Sequence, residues 1–259
     1  MSNPVVIVTG ASRGLGAATA RMVGSFGARV VLSGRSSTDL DAQVTKITEL
    51  GGKAVAVVSD LAKEEDCQNL VESALGSFGQ VDALINNAGI VEPIESIAKA
   101  IMSGWEQNIR INLLAPIMLT HFALPLLREV NGRVINISSG AAVQVVQGWG
   151  AYCVGKAGLN HFTRVLAEEE PSITTIAVRP GVVDTQMQQL VRNMGKIGMP
   201  ESTHTDFVNL HRDGKLLQPE VPAEAIAVLA LRVPHEWSGQ FVAWNEERVQ
   251  GVVKAMRPQ

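Results

Sequence analysis

Tyr152 and Lys156 stand four residues apart, and Ser139 lies thirteen residues before the tyrosine. Residues at i and i+4 share one face of a helix, so the Lys156 ammonium and the Tyr152 phenol can lie side by side. A neighbouring cation favours the phenolate and lowers a reference pKa of about 10. Bringing it near 7 takes about 4 kcal/mol of differential interaction, more than a helix dipole supplies. A fixed lysine and a bound cationic group together would make the phenol a proton donor or acceptor at neutral pH. By itself the spacing also describes a solvated lysine beside a packed tyrosine, so the elements that position the pair decide its meaning.

The N-terminus supplies the first of those elements. Pro4 to Thr9 is a short apolar run of the kind that forms a strand buried on both faces. It leads into Gly10-Ala11-Ser12-Arg13-Gly14-Leu15-Gly16 and then into a stretch of helical composition from Ala17 to Phe26. A strand, a glycine-rich turn and a helix make a phosphate site: glycines let the backbone approach a pyrophosphate, and the helix N-terminus offers N–H groups and positive dipole. The spacing is Gly-x-x-x-Gly-x-Gly, and a plain tight turn is the competing reading. After the second expected strand, Arg29 to Ser33, an acid would hold a ribose 2′-hydroxyl, whereas an arginine accommodates the 2′-phosphate of NADP. Arg35 stands there, with no acid until Asp39, and Arg13 adds a second cation in the turn. The pattern favours NADP(H).

Strand-like and helix-like segments alternate along the chain, which predicts one α/β domain over 1–259, a doubly wound parallel sheet with helices on both faces. Further strands are expected at Ala54–Ser59, Asp82–Asn86, Arg133–Ser138, Thr174–Arg179 and Gln240–Ala243. Helices are expected at Asp39–Leu50, Lys63–Phe78, Met102–Glu129 with a kink at Pro116, and around Tyr152 as far as Pro171. Residues 194–219 are rich in Gly, Pro, His and Lys and read as a lid or binding loop. In such sheets ligands bind beyond the carboxyl ends of the strands, where Gly10, Asp60, Asn87, Ser139 and Pro180-Gly181 are all expected.

Thr9 to Gly16, Asp60-Leu61, Asn86-Asn87-Ala88-Gly89, Asn112, Ser138-Ser139, Tyr152-x-x-x-Lys156 and Pro180 to Thr185 together resemble the short-chain dehydrogenase/reductase family, over essentially the whole length. Gly148-Trp149, Tyr152 to Ala157, Glu169-Glu170-Pro171, Asp184 to Gln189 and Gly214-Lys215-Leu216 resemble its sepiapterin reductase-like and diketone (benzil-type) reductase-like members. The resemblance implies an NADPH-dependent carbonyl reductase. Tyr152 would supply the proton, Ser139 would hydrogen-bond the carbonyl oxygen, and Lys156 would depress the tyrosine pKa and bind the nicotinamide ribose. Asn112 would hold a water linking Lys156 to solvent. It also implies that Gly10, Ser12, Arg13, Gly14, Leu15, Gly16 and Arg35 bind the phosphates, that Asp60 and Leu61 meet the adenine and Asn87 the ribose side, and that Val183 and Thr185 meet the nicotinamide end. Only Ser139 has the family's spacing to the tyrosine, which leaves Ser138, like Asn86, to structure.

Val143, Val145, Trp149, Met187 and Leu190 would line an apolar, partly aromatic pocket, although core packing accounts equally for the valines. Sepiapterin reductase-like chains place an aspartate near the C-terminus to anchor a pterin; here Glu246 is the acid available to take that part. A substrate that is a small dicarbonyl fits the pattern as well as a pterin does.

Hydrophobic residues at 46% and charged residues at 18% indicate a well-buried globular chain. A net charge of −3 gives no electrostatic case for nucleic acid or an anionic membrane. Cys67 and Cys153 form no motif and suit a reducing compartment, so the cytoplasm is expected, with no membrane association and no apolar run near the length of a span. The five histidines show no metal-ligand spacing, and no metal is expected. The long helices predict a homodimer or homotetramer. A non-catalytic NADP(H)-binding regulator that keeps the fold is the alternative to an enzyme.

Overall fold

The computed structural model describes residues 3–256; residues 1–2 and 257–259 of the expected domain lie outside the described residues. Seven strands are formed: β1 Val5–Thr9, β2 Arg29–Gly34, β3 Lys53–Val58, β4 Ala83–Asn86, β5 Arg133–Ile137, β6 Thr174–Arg179 and β7 Phe241–Ala243. They make one parallel sheet in the order β3-β2-β1-β4-β5-β6-β7. Alternate residues of the central strands feed two cores. Val6, Val8, Ala83, Ile85, Ile135 and Ile137 join one, while Val5, Ile7, Leu84 and Val134 join the other. That is why these strands read as continuous apolar runs: both faces are covered.

One face packs against α1 (Gly14–Ser25), α2 (Ser37–Glu49), α9 (Glu220–Arg232) and α10 (Glu247–Met256), and the other against α3 (Glu64–Phe78) and α5 (Ala115–Glu129). The chain winds from β1 outward to β3, then crosses to β4 on β1's other side. A ligand crevice is therefore expected beyond β1 and β4.

Three departures from the expected elements have physical causes. The helix over 102–129 is not merely kinked: α4 (Met102–Ile109) and α5 are joined by a π-helical turn, Arg110–Leu114. Pro116 has no N–H to give the Asn112 carbonyl four residues back, and a widened turn is one way to absorb that loss. Residues 194–219 are largely helical, as a 3₁₀ turn at Gly195–Ile197 and α8 at Glu201–Arg212 following α7 (Gln186–Met194). The segment then returns to pair Leu217 with Val183. Finally, the helical stretch Met102–Glu129 is long and apolar enough by length and composition to cross a membrane, contrary to expectation. Its Leu119, Ala123 and Leu127 are instead packed inside the second core.

The β1–α1 turn depends on close backbone approach. A Cβ on Gly16 would lie 2.3 Å from the Gly10 carbonyl oxygen and 2.4 Å from Asn87 Nδ2. Gly76, near the C-terminal end of α3, has nothing within 4 Å of the equivalent position. We expect Gly16→Ala to destabilise the chain by at least about 2 kcal/mol, through overpacking against rigid atoms. Gly76→Ala should stabilise it by about 0.5–1 kcal/mol. Urea-unfolding midpoints of the two variants test both signs.

Candidate active site

The C-terminal edge of the sheet is held by polar side chains bonded to main chain. Thr9 Oγ1 donates to the Ile85 carbonyl at 3.2 Å and accepts from the N–H groups of Asn87 and Ala88 at 2.9 and 3.0 Å. Asn87 Nδ2 donates to the Thr9 carbonyl at 2.8 Å. The Asn87 amide, expected at the ribose, is thus also a strut between β4 and the glycine turn. Asn86 bonds Asn136, which bonds Thr163, each at 2.9 Å inside the protein.

Around the turn, Arg13 occupies the N-cap of α1 without making a side-chain cap, so no side chain competes for the first N–H groups of that helix. Thr185 Cγ2 would lie 3.2 Å from a Cβ on Gly14, which brings the N-cap of α7 to the start of α1. Gly34, at the end of β2, is close to Ser12, so Arg35 follows a strand end that abuts the turn. Arg13 and Arg35 are exposed, and neither forms a side-chain hydrogen bond or ion pair among the described residues. Narrow glycines, an uncapped helix N-terminus and two unengaged guanidiniums suit the phosphates of a dinucleotide. Asp60 Oδ1 accepts from the Ala62 N–H at 3.1 Å, and the Leu61 side chain is buried in the second core. Leu61 therefore has only its main chain to offer a base. Val183 is buried beside the bridge to Leu217.

The helix α6 (Gly150–Glu169) carries two distinct faces. Tyr152, Lys156, Leu159 and Thr163 point inward, at i, i+4, i+7 and i+11. Gly150, Cys153, Val154 and Ala157 line an outer groove of about 880 Å³ with Val143, Val145 and Ile97; neither Tyr152 nor Ser139 lines it. Val145 is 92% exposed. The two valines expected in a substrate pocket belong to this outer groove.

On the inner face, Lys156 Nζ donates to the Ile137 carbonyl at 2.7 Å and lies 5.7 Å from the centre of the Tyr152 ring. Burial pushes the ammonium down to about 8. Burial pushes the phenol the other way, up to about 12, with the Ser139 side chain pulling it down. The expectation of a lysine-acidified phenol is thus reversed within the protein's own groups, because desolvation outweighs the Ser139 hydrogen bond. Ser139 also caps the following turn, accepting from the Ala141 N–H at 3.2 Å.

Asn112, on the π turn, is fully buried. Its Nδ2 donates to the Ile90 carbonyl and to Asn108 Oδ1, both at 2.8 Å, and its Oδ1 accepts from the Ile90 N–H at 3.2 Å. Its amide is spent on the β4 loop. A Cβ on Gly89 would meet Asn112 Oδ1 at 2.8 Å and Lys156 Nζ at 3.6 Å, so Asn112 and Lys156 converge on one glycine. Asn108, which also donates to the Glu92 carbonyl at 2.6 Å, escaped the sequence reading. The signal available was its i, i+4 relation to Asn112.

Over Tyr152 lies a third apolar cluster of Val91, Ile94, Ala141, Trp149, Val191 and Met199, with Met187, Leu190 and Phe207 packed against it. Phe207, from α8, stacks on Trp149 at 5.1 Å and was not anticipated; a polar, glycine-rich sequence concealed the helix that carries it. The Glu246 carboxylate accepts from the Ala243 N–H at 2.6 Å and from Arg248 Nε at 2.9 Å, so it braces the start of α10.

A model of the family described as short chain dehydrogenase matches residues 4–196. The chain is 38% identical to a benzil reductase ((S)-benzoin forming) of Bacillus cereus over 85% of its length and 91% of the relative's. It is 34% identical to a benzil reductase ((S)-benzoin forming) of Saccharomyces cerevisiae over 95% and 97%. A crystal structure of a short chain dehydrogenase/reductase from Saccharomyces cerevisiae superposes with a TM-score of 0.92 at 33% identity, covering 96% of this chain and 99% of that one.

The lowered Lys156 pKa has a measurable consequence. Between about pH 8 and the ordinary lysine range the unfolded chain keeps this proton and the folded chain has lost it. Stability contributed by this residue therefore rises with pH in that window. The Tyr152 phenol titrates higher and in the opposite sense. We expect wild type to gain stability relative to Lys156→Met between pH 7.5 and pH 9.5, read from urea midpoints at the two values.

Proposed function

The chain belongs to the short chain dehydrogenase family, and on that premise we propose that it is an NADPH-dependent carbonyl reductase acting on a ketone or 1,2-dicarbonyl. The observation that carries this reading is a buried phenol within reach of the Ser139 hydroxyl, with a buried ammonium 5.7 Å from its ring. That group sits at the strand ends from which the glycine turn also springs. The benzil reductases among its relatives support the substrate class. The unengaged Arg13 and Arg35 support NADP(H) over NAD(H). Two unpaired thiols, Cys67 and Cys153, accord with a cytoplasmic location.

When bound, NADPH supplies the hydride. Tyr152, kept protonated by its burial, is the general acid that delivers a proton to the carbonyl oxygen. Ser139 donates a hydrogen bond to that oxygen and stabilises the charge growing there. One donor of the Lys156 ammonium is fixed on Ile137, which leaves two for the phenol and a ribose hydroxyl. With a pKa near 8, Lys156 releases and regains a proton close to neutrality and can reprotonate the phenol. The Asn112 amide is committed to Ile90 and Asn108, so its part in the site is to hold the β4 loop beside Lys156.

Assembly as a homodimer or homotetramer is proposed from the apolar side chains left exposed around the same helices: Ile101, Met102 and Leu114 along α4, the π turn and its approach, with Val154 and Val165 on α6. A patch of this kind marks an interaction surface.

Tyr152→Phe is expected to lower kcat for NADPH-dependent reduction by at least about 10²-fold while leaving NADPH binding, followed by nucleotide fluorescence, intact. Arg35→Asp should move the NADPH/NADH preference by roughly 10- to 100-fold towards NADH. A protein that binds NADPH yet oxidises it with none of benzil, sepiapterin or simple ketones would favour the regulatory alternative. Val154→Glu should convert the oligomer to a monomer on gel filtration.

A further inference from the structure

Trp149 stands three residues before Tyr152, at the N-cap of α6. Its indole is 7% exposed and clamped on two sides. Phe207 stacks on it at 5.1 Å and 26°, and the Tyr152 ring meets it edge-on at 5.6 Å and 83°. The backbone beside it is fixed as well, since the Gly148 carbonyl accepts from the Glu95 N–H at 2.9 Å. Within this rigid setting the indole Nε1, a buried group, has no hydrogen-bond partner among the described residues.

A buried, unpaired donor is costly, and an indole N–H can only donate. Packing against Tyr152 and Phe207 alone would be served by a phenylalanine, which carries no such penalty. The ring this donor touches belongs to the proposed proton donor, so a ligand acceptor at the indole would lie beside the reacting carbonyl. We propose that Trp149 is a specificity-determining residue whose indole N–H donates to the second oxygen of a vicinal dicarbonyl, while Tyr152 and Ser139 act on the first. This rests on the reductase reading and narrows it from carbonyls in general to 1,2-dicarbonyls. A vicinal dicarbonyl presents oxygens on adjacent carbons, and the edge-on contact of the two rings sets the indole and the phenol side by side. The first reduction yields an α-hydroxy ketone. Turning that product over for a second reduction places its hydroxyl on Trp149, a poorer match than a carbonyl, so the reaction halts at the hydroxy ketone.

The test compares benzil with deoxybenzoin, which keeps both phenyl rings and lacks the second oxygen. In Trp149→Phe, kcat/KM for benzil should fall about 10-fold relative to kcat/KM for deoxybenzoin, the worth of one hydrogen bond. An equal fall for both substrates, as a structural role would give, or an unchanged ratio overturns the inference. A second measurement needs no substitution at Trp149. With NADP⁺ present, its indole ¹H–¹⁵N resonance, assigned by replacing the other tryptophans in turn, should shift on adding benzil and not on adding deoxybenzoin. A resonance indifferent to benzil overturns the inference. Wild type that reduces neither compound with NADPH overturns the reductase reading itself, an outcome distinct from reduction of both with Trp149 indifferent.

Discussion

A buried ammonium bonded to the carbonyl at the end of the central strand β5 is the constraint around which this edge of the protein is organised. Lys156 is 4% exposed, and burying a charge is expensive unless it is hydrogen-bonded. Its bond to Ile137 fixes α6 against β5, and with α6 it fixes Tyr152 one turn earlier. Space for the ammonium requires Gly89, since a side chain there would strike Asn112 and crowd Nζ. Gly155 is required in the same way, its missing Cβ lying 3.2 Å from Asn112 Cβ. Gly89 is thus a clearance for the lysine and Asn112, and Gly155 a clearance for Asn112.

The polar residues of this edge divide into those that brace and those that remain available. Thr9, Asn86, Asn87, Asn108, Asn112 and Asn136 spend their side chains on one another, on Thr163 or on main chain. Such bonds satisfy groups that burial would otherwise penalise, and they lock the strand ends into one arrangement. Ser139, Tyr152 and Lys156 stand on that frame, as precise placement of reacting groups demands. Farther out, Arg128 and Glu170 join the ends of α5 and α6 across the surface, which gives the acidic end of α6 a partner that its sequence did not disclose.

The sheet was legible because each central strand is an apolar run buried on both faces, as at Val5–Thr9 and Thr174–Arg179. The glycine turn and Tyr152-x-x-x-Lys156 were legible because their chemistry demands fixed residue types at fixed separations. What stayed hidden depends on tertiary context. Helix α8 opens on six polar residues, Glu201 to Asp206, with no continuous apolar stripe, and the docking of Phe207 and His204 makes it a structural element. The bonds of the acid at 246 to Ala243 and Arg248 likewise exist only in the folded chain. The direction of the Tyr152 shift was missed for a related reason: spacing reveals the neighbouring charge, whereas desolvation is a property of the packed interior.

The stack between Phe207 and Trp149 ties two events together mechanically. Helix α8 cannot lift away from the body without parting that pair, and the indole it uncovers is the wall against which the Tyr152 ring rests. The Trp149–Phe207 wall is therefore part of what desolvates the Tyr152 hydroxyl, and a helix more than fifty residues away in sequence helps to hold the phenol's proton in place.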